Sequence, residues 1–340
     1  MSTLADKTVL VTGGCGSIGS CLVEKILEQD PTVVRVFDNS EEGLFELQNE
    51  LGEEAPIRYL LGNVRDENRL DLAMEGVDVV FHAAALKHVT INEYNPFETV
   101  QTNVQGTQNL IQAALDEEID SFVAISTDKA SNPTSVMGAT KLLSERLVIA
   151  ANTYKGSRKT QFGCVRFGNV LGSSGSVVPV FMNQIRDGGP VTVTDPDMTR
   201  FIMPIDEAAG LVLQAHERMT SGEVFVLKMP TFRVGTLAEA MIEEYAPRFG
   251  YSPEEVEINI IGARPGERVH EKLISADECE QSRELENMYV ILPQIDAPGY
   301  KDLNYSDSNP VKKEYSSANG TLLSKEEMIN VIDENIQKEA

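Results

Sequence analysis

The chain contains few cysteines, few histidines and little positive charge, and each shortage excludes a class of protein. Four cysteines and four histidines are spread over 340 residues. They show no metal-ligand spacing, and four cysteines in a chain of this length do not make a disulfide scaffold, so we expect no metal. The 29 Lys and Arg residues face 53 Asp and Glu residues, which leaves a net charge of -24. A nucleic-acid-binding protein presents a basic face, so we expect no nucleic-acid partner.

Long apolar segments are also lacking. No apolar run approaches the roughly 18 residues that a membrane span requires. Residues 1–7 do not have the basic-then-apolar layout of a signal peptide. We therefore expect a soluble, cytoplasmic protein with no membrane partner.

The first half of the chain alternates short apolar runs with helical periodicity. In the first helical stretch, Ile18, Leu22 and Ile26 share one face. This alternation predicts an α/β fold of the Rossmann type, with a doubly wound parallel sheet. The five predicted strands are residues 8–11, 33–37, 57–61, 77–81 and 122–125.

The alternation becomes irregular in the second half. We predict a dinucleotide-binding Rossmann domain over residues 1–168. Residues 169–340 are expected to form mainly a smaller C-terminal substrate-binding lobe, with segments that return to the Rossmann domain. A last helix near residues 325–336 is expected to cover the structure.

A glycine-rich turn follows the first predicted strand and opens the first helix. Its G-x-x-G-x-x-G spacing lets a pyrophosphate approach the backbone at a helix N-terminus. Asp38 ends the second strand about twenty residues further on, where a carboxylate bonds a ribose 2′-hydroxyl and repels a 2′-phosphate. We therefore predict NAD as the cofactor rather than NADP. The predicted cofactor-binding residues of the turn are Gly13, Gly16, Ser17, Ile18 and Gly19.

Two further strand ends are candidates for the cofactor site. Asn63 and Val64 follow the third strand and would lie beside the adenine. Ala83 and Ala84 follow the fourth strand, where small residues permit a close approach of the backbone to the ribose and pyrophosphate. Taken alone, each segment is also compatible with an ordinary strand end.

The candidate catalytic segment comes directly after the fifth strand. It contains Thr127, Asp128 and Lys129, and Met137 and Lys141 follow at the start of a helix. Ligands bind at the carboxyl ends of the strands in open α/β sheets. Met137 and Lys141 are four residues apart and therefore share a helix face.

These motifs carry a family resemblance over nearly the whole chain. They resemble the UDP-N-acetylglucosamine 4,6-dehydratases, the polysaccharide-biosynthesis group of the extended short-chain dehydrogenase/reductase superfamily. The Thr-Asp-Lys motif is quite specific, whereas the glycine turn is shared by the whole superfamily. The similar segments are residues 13–19, 84–89, 93–96, 102–107, 126–130, 137–141, 166–172, 199–201 and 262–267.

The resemblance implies a reaction that needs an acid and a base side by side. Hydride leaves sugar C4 for the cofactor, the C5 proton is removed, the C6 hydroxyl leaves as water, and hydride returns to C6. By this likeness Asp128 is the acid at C6 and Lys129 is the base at C5. Lys129 would need a lowered pKa, which desolvation and nearby Lys141 are expected to supply. Lys141 would also hold the nicotinamide ribose.

One position departs from the superfamily pattern. Met137 stands where most members have the tyrosine that takes the C4-hydroxyl proton. Some members of the dehydratase group are similar in having Met there. Since a thioether cannot titrate, the base at C4 stays open between Thr127 with Asp128 and a bound water.

A UDP-sugar substrate brings two phosphates, which arginine binds in bidentate fashion. The candidate clamps are Arg200, Arg264 and Arg233. By resemblance Asn169 lies near the diphosphate or sugar, Glu267 accepts from uridine ribose hydroxyls, and Lys87 reaches the sugar. For each of them the alternative is a surface salt bridge or a helix cap.

The resemblance also implies a homo-oligomer, because helices near residues 96–117 and 138–152 often form a dimer interface in this superfamily. The nearest rival function is an NAD-dependent UDP-sugar 4-epimerase, which would not need Asp128 and Lys129 at C5 and C6. A non-catalytic dinucleotide-binding regulator is a further alternative, against which the retained Lys141 speaks.

Overall fold

The structure is a computed structural model. It describes residues 3–52, 54–172, 176–263, 266–294, 305 and 307–339. Its strands are β1 Thr8–Thr12, β2 Val33–Asp38, β3 Ile57–Leu61, β4 Val79–His82, β5 Ser121–Thr127, β6 Gln161–Phe167, β7 Asn169–Val170, β8 Val191–Val193, β9 Thr199–Met203, β10 Val224–Leu227, β11 Thr231–Arg233, β12 Ile258–Ile260, β13 Lys272–Ile274, β14 Ser282–Glu284, β15 Met288–Ile291, β16 Asn309–Pro310 and β17 Tyr315–Ser316.

The helices connect these strands, and several of them begin with a side-chain cap. Ser40, Asp66 and Ser135 each accept a backbone N–H of the first turn. The helices are α1 Ser17–Leu27, α2 Glu41–Leu51, α3 Glu67–Met74, α4 Val89–Tyr94, α5 Pro96–Thr99, α6 Gly106–Asp116, α7 Val136–Tyr154, α8 Val177–Arg186, α9 Ile205–Arg218, α10 Val234–Tyr245 and α11 Lys325–Glu339.

A ten-stranded sheet organises the molecule, in the order β16-β14-β15-β10-β6-β5-β4-β1-β2-β3. The strands from β3 to β10 run parallel, and β15, β14 and β16 are antiparallel additions. The strand order reverses between β1 and β4, and a ligand crevice lies at such a switch point. The predicted Rossmann-type fold is therefore confirmed.

Each predicted strand matches a strand of the sheet, with bounds that differ by at most two residues. β4 begins at Val79, because Asp78 turns its carboxylate to the backbone N–H of Thr8 at 2.7 Å. Buried β-branched and aromatic side chains fill both faces of the parallel strands, as expected where helices cover both sides.

The chain from Pro96 to Asp116 contains an irregularity that the apolar pattern did not predict. Residues 100–105 form a π-helical segment between α5 and α6. Such segments often occur at functional sites. This one turns Asn103 into the protein interior, where it is 1% exposed.

The second half builds its own small core and also returns to the sheet. Helices α8, α10 and α11 pack with β8 around a second apolar cluster. β10, β14, β15 and β16 join the central sheet from beyond residue 168. The division of the chain at that residue stays a prediction.

A buried ion cluster joins the two halves behind α7. The guanidinium of Arg166 on β6 donates to both carboxylate oxygens of Glu145 on α7, at 3.0 and 2.7 Å, and to both of Glu278, at 3.0 Å each. Because breaking one partner of a buried pair costs several kcal/mol, on the order of 3–5, this cluster holds α7 rigidly against the segment after β13.

Candidate active site

The glycine turn lies directly against the end of β4. Gly13 has a φ of +68°, and a Cβ there would lie 2.5 Å from the backbone nitrogen of Ala84. A Cβ on Gly19 would overlap the carbonyl oxygen of Gly13. The turn thus requires glycine, and it brings the start of α1, with Ser17 and Ile18, to the switch point of the sheet.

Asp38 is held beside this turn by two backbone donors. The N–H of Cys15 donates to its Oδ2 at 3.1 Å, and the N–H of Ser40 donates to its Oδ1 at 3.0 Å. The carboxylate therefore lies at the carboxyl end of β2, next to the strand that feeds the glycine turn.

The other predicted cofactor residues lie at strand ends. Asn63 accepts the N–H of Arg65 in a turn after β3, at 3.0 Å. Val64 is buried, and a Cβ on Gly106 would lie 2.5 Å from it, so Val64 packs under α6. The N–H of Ala83 donates to the carbonyl of Thr12 at 2.9 Å, which places Ala83 beside the glycine turn.

Asp128 is the buried centre of the catalytic segment, with 0% of its surface exposed. Its Oδ1 accepts the hydroxyl of Thr127 at 2.7 Å and the ammonium of Lys129 at 3.0 Å. Its Oδ2 is buried and has no hydrogen-bond partner among the residues that the structure describes. Since buried polar atoms are normally paired, this oxygen indicates a place for a ligand group.

Asn169 and Asp128 lie at the same edge of the sheet. In the register of β5 and β6, Thr127 pairs with Phe167, so the segments that follow these two residues are neighbours. The side-chain oxygen of Asn169 is also buried without a hydrogen-bond partner in the described part of the chain. Two unpaired acceptors therefore lie at this strand edge.

The pKa of Lys129 is shifted in the opposite direction from the prediction. Burial lowers the pKa of Lys129, but the carboxylates of Asp128 and Glu271 outweigh burial, and its pKa is raised above the ordinary value. The predicted lowering is wrong for this arrangement, because Asp128 and a second carboxylate, Glu271 at 3.7 Å, both stabilise the ammonium.

Lys141 projects from α7 toward the end of β5. Its ammonium donates to the carbonyl of Ile125 at 2.5 Å, and burial lowers its pKa. Met137 lies one turn earlier and is buried. A Cβ on Gly138 would overlap the carbonyl oxygen of Lys129, so glycine is required where α7 meets the 128–130 turn.

Asn103 is a structural link that sequence reasoning did not assign. Its Oδ1 accepts the N–H of Leu86 at 2.8 Å, and its amide donates to Thr140 on α7 at 3.1 Å. Ser144 of α7 donates to its backbone carbonyl at 2.5 Å. The sequence signal for Asn103 was a polar residue within the Thr102–Thr107 motif. Its inward direction depends on the π-helical segment, which the sequence did not reveal.

Arg200 on β9 reaches the catalytic segment through Glu271. Its Nε lies 3.8 Å from the Glu271 carboxylate, and its Nη1 donates to the carbonyl of Val269 at 3.2 Å. Arg233 lies on the neighbouring strand, opposite Thr199, but its guanidinium is half exposed and pairs with Asp197 at 3.4 Å. This contact fits the alternative of a surface salt bridge.

Two of the remaining candidate residues, Lys87 and Glu267, lie in loops near the site. Lys87 is exposed in the loop before α4. Glu267 lies in a segment that contacts the loop before α7, where Thr134 donates to the carbonyl of Gly266 at 3.0 Å and Arg268 donates to that of Ser131 at 3.1 Å. Arg264 lies outside the described residues.

Comparison with known proteins identifies the group to which this site belongs. Residues 9–293 match the family described as "Polysaccharide biosynthesis protein". The chain belongs to that family. The resemblance to UDP-N-acetylglucosamine 4,6-dehydratases is thereby confirmed at the level of the family.

Relatives within the family have several descriptions. A Methanocaldococcus jannaschii protein described as an uncharacterized membrane protein is 54% identical, covering 97% of this chain and 96% of that protein. The UDP-N-acetylglucosamine 4,6-dehydratase (inverting) of Campylobacter jejuni is 40% identical, covering 96% and 97%. A UDP-glucose 4-epimerase of Rickettsia rickettsii is 37% identical, covering 88% and 86%. The family is thus one of nucleotide-sugar dehydratases and epimerases, and the chain is an enzyme of the short-chain dehydrogenase/reductase type.

Solved structures agree with the family and the fold. Pen from Bacillus thuringiensis superposes with a TM-score of 0.89 and 43% identity, covering 97% of this chain and 98% of that one. A dTDP-glucose 4,6-dehydratase of Streptomyces venezuelae, solved with NAD and TYD bound, has a TM-score of 0.68 at 24% identity, covering 77% and 86%. At that identity the second likeness supports the fold.

The description of the Methanocaldococcus relative raises the question of membrane spans. Across the described ranges, each helix is too short or too polar to traverse a bilayer. The cytoplasmic location stays a prediction.

Proposed function

We propose that the protein is a UDP-sugar 4,6-dehydratase that acts on UDP-N-acetylglucosamine or a close UDP-sugar, for surface polysaccharide or glycan biosynthesis. The observation that carries the proposal is the buried Asp128, hydrogen-bonded to Lys129 at the carboxyl end of β5. An acid and a base side by side are what elimination of water across C5 and C6 requires. The name of the Campylobacter relative supports the same reaction.

The cofactor of this proposal is NAD. The glycine turn fits a pyrophosphate, because a Cβ at Gly13 or Gly19 would fill the backbone cradle at the start of α1. Asp38 would hold the adenosine ribose and disfavour a 2′-phosphate, and Lys141 would hold the nicotinamide ribose. When bound, NAD accepts the C4 hydride of the sugar and later returns it to C6. The name of the Streptomyces neighbour, which includes NAD, agrees with this choice.

Asp128 and Lys129 would exchange one proton before the elimination. Transfer from the Lys129 ammonium to the Asp128 carboxylate, across their 3.0 Å hydrogen bond, converts the ion pair into an amine and a carboxylic acid. The amine then removes the C5 proton, and the acid protonates the C6 hydroxyl as it leaves as water. Lys129 gives a proton back to C5, and the proton lost from the C4 hydroxyl, passed to a bound water, restores the charge of the pair. If Thr127 instead relays the C4 proton to Asp128, that proton makes Asp128 the acid, Lys129 releases its own proton to solvent, and Lys129 takes a proton back at the end.

The group that receives the C4-hydroxyl proton is proposed to be Thr127 with Asp128, or a bound water. Met137 is buried and its thioether has no proton to exchange. The Thr127 hydroxyl donates to Asp128 at 2.7 Å and is therefore already in a proton path.

The UDP-sugar would lie along the edge formed by β5, β6 and β9. Arg200 is the proposed diphosphate ligand, because it is part of the charge network of the catalytic segment. The buried oxygen of Asn169, which lacks a partner among the described residues, would accept a sugar hydroxyl. Glu267 and Lys87 are proposed for the uridine ribose and the sugar, and Arg233 and Arg264 remain weaker proposals for the diphosphate.

A 4-epimerase is the second candidate, because the Rickettsia relative has that name. An epimerase changes only C4 and has no use for an acid and base at C5 and C6. The burial of Asp128 and its bond to Lys129 therefore favour the dehydratase.

We also propose that the protein is a homo-oligomer. Helices α4 and α5 pack beside α7, yet they carry large exposed apolar side chains, with Tyr94 at 84% and Phe97 at 81% exposure. Exposed apolar patches of this kind often mark association surfaces. A second copy that pairs the same helices would cover them.

The reaction is tested with UDP-N-acetylglucosamine in heavy water, by mass spectrometry and NMR of the product. A dehydratase gives a product that has lost one water and carries solvent deuterium at C5. Deuterium placed at C4 of the substrate reappears at C6. A product that keeps the substrate mass, differs only at C4 and gains no deuterium rejects the dehydratase and establishes the epimerase.

A further inference from the structure

Glu271 is a second carboxylate at the catalytic lysine. It is 5% exposed and directly precedes β13, which packs against the 128–130 turn. Its Oε1 lies 3.7 Å from the Lys129 ammonium and 3.8 Å from Nε of Arg200. One buried carboxylate therefore connects the proposed base with the proposed diphosphate ligand.

The backbone of Glu271 is held in place by residues of another segment. Its N–H donates to the hydroxyl of Ser317 at 2.9 Å, and its carbonyl accepts the N–H of Ser317 at 2.9 Å and the hydroxyl of Ser316 at 3.2 Å. The Ser317 hydroxyl also contacts Thr199, which precedes Arg200. These hydrogen bonds fix the backbone of Glu271 and thereby hold its carboxylate beside Lys129.

The charges around Lys129 come from several elements. Asp128 lies on its own turn, Glu271 precedes β13, and Arg200 lies on β9. On α7, the ammonium of Lys141 donates to the carbonyl of Ile125, and the carboxylate that raises its pKa is Glu145. A carboxylate within about 4–6 Å favours the charged form of a lysine. Glu271 therefore opposes the proton transfer that would make Lys129 a base.

We propose that Glu271 is a positioning residue of the reaction: its buried carboxylate fixes Lys129 and Arg200 relative to each other and keeps Lys129 charged until the substrate is bound. This role rests on the proposed function. Without the charge of Glu271, Lys129 would lose its proton at a lower pH. Arg200 would also lose its carboxylate partner and keep only its bonds to the carbonyls of Thr199 and Val269 and to the sulfur of Met198.

The direct test is competitive acetylation of lysines with acetic anhydride from neutral to alkaline pH, read by mass spectrometry of the Lys129 peptide. In Glu271→Gln we expect the labelling midpoint of Lys129 to fall by about one pH unit. Glu271→Asp, which keeps the charge, restores part of the shift. Glu314→Gln is the matched control, because Glu314 pairs with Lys272, next to Glu271, at 2.7 Å. It leaves the Lys129 midpoint unchanged.

An unchanged Lys129 midpoint in folded Glu271→Gln overturns the proposal. The unmutated protein supplies a check that needs no variant: its Lys129 midpoint must lie above the ordinary lysine value, and a lower one also overturns the proposal. In the dehydration assay, the part of the kcat pH profile that follows the charge of Lys129 shifts to lower pH in Glu271→Gln, and KM for the UDP-sugar rises. A purely structural role would lower kcat without moving its pH dependence, and that result overturns the proposal.

Failure of the proposed function gives a different pattern. A lowered labelling midpoint of Lys129 in Glu271→Gln supports the electrostatic effect of Glu271 on Lys129, whatever the reaction is. If in addition no UDP-sugar loses water, the dehydratase is rejected.

Discussion

Replacing Gly138 by alanine tests whether turnover requires the close contact between α7 and the 128–130 turn. A Cβ at this position would overlap the carbonyl oxygen of Lys129 and lie 3.1 Å from the side chain of Pro133. Either α7 or the turn has to move. Overpacking costs about 1–3 kcal/mol, whereas alanine in a helix gains about 1 kcal/mol over glycine. The net loss of stability is therefore small, about 0–2 kcal/mol.

The effect on turnover should be much larger than the effect on stability. A displacement of roughly 1 Å at reacting groups lowers a rate on the order of 100-fold. We expect Gly138→Ala to reduce kcat by about that factor while the protein stays folded. The assay is steady-state dehydration, followed together with thermal unfolding.

Gly210 provides the matched control. It lies within α9, and a Cβ there meets nothing within 4 Å. Gly210→Ala should therefore gain about 1 kcal/mol, raise Tm by roughly 2 °C and leave kcat unchanged. If Gly138→Ala stabilises the protein as Gly210→Ala does and keeps full turnover, the inferred contact between α7 and the turn is wrong.

Two further predictions concern the cofactor and the proton transfers. In Asp38→Ala, the preference for NAD over NADP should fall by roughly 10- to 150-fold, since a hydrogen bond to a charged group is worth about 1.5–3 kcal/mol. Calorimetry on the cofactor-free protein measures this, and equal affinity for both cofactors before mutation would contradict it. Lys129→Ala and Asp128→Asn should each lower dehydration about 100-fold or more, whereas Lys312→Ala on the surface has no effect. Transient absorbance of reduced cofactor in Lys129→Ala would show that oxidation at C4 survives, and near-normal dehydration in both variants would reject the assignment of acid and base.

The parallel sheet could be predicted because its signals are local. Each buried strand is a short apolar run, and each ends where a functional motif begins, as at Gly13 and Thr127. Strand ends of a parallel sheet share one edge, so motifs far apart in the chain can be assigned to one site from the sequence. The start of β4 was misplaced because Asp78 bonds to Thr8, a contact between distant residues.

The electrostatic state of the site could not be predicted in the same way. The sequence showed Asp128 next to Lys129, and desolvation alone suggested a lowered pKa for the lysine. Glu271 is far away along the chain, and only the packing of β13 on the 128–130 turn brings its carboxylate to Lys129. Charge interactions depend on distance in space, so the part of this shift that Glu271 contributes was decided by the tertiary structure.

The sequence by itself determined the order of the elements, the glycine turn and the residue types available at the strand ends, because periodicity and backbone sterics act over a few neighbouring residues. Only the tertiary structure decided which distant side chains meet there. Asn103 links the loop after β4 to α7 through a π-helical segment, and Glu271 joins Lys129 to Arg200. Both depend on packing between segments that are remote in the chain, and no local pattern encodes such contacts.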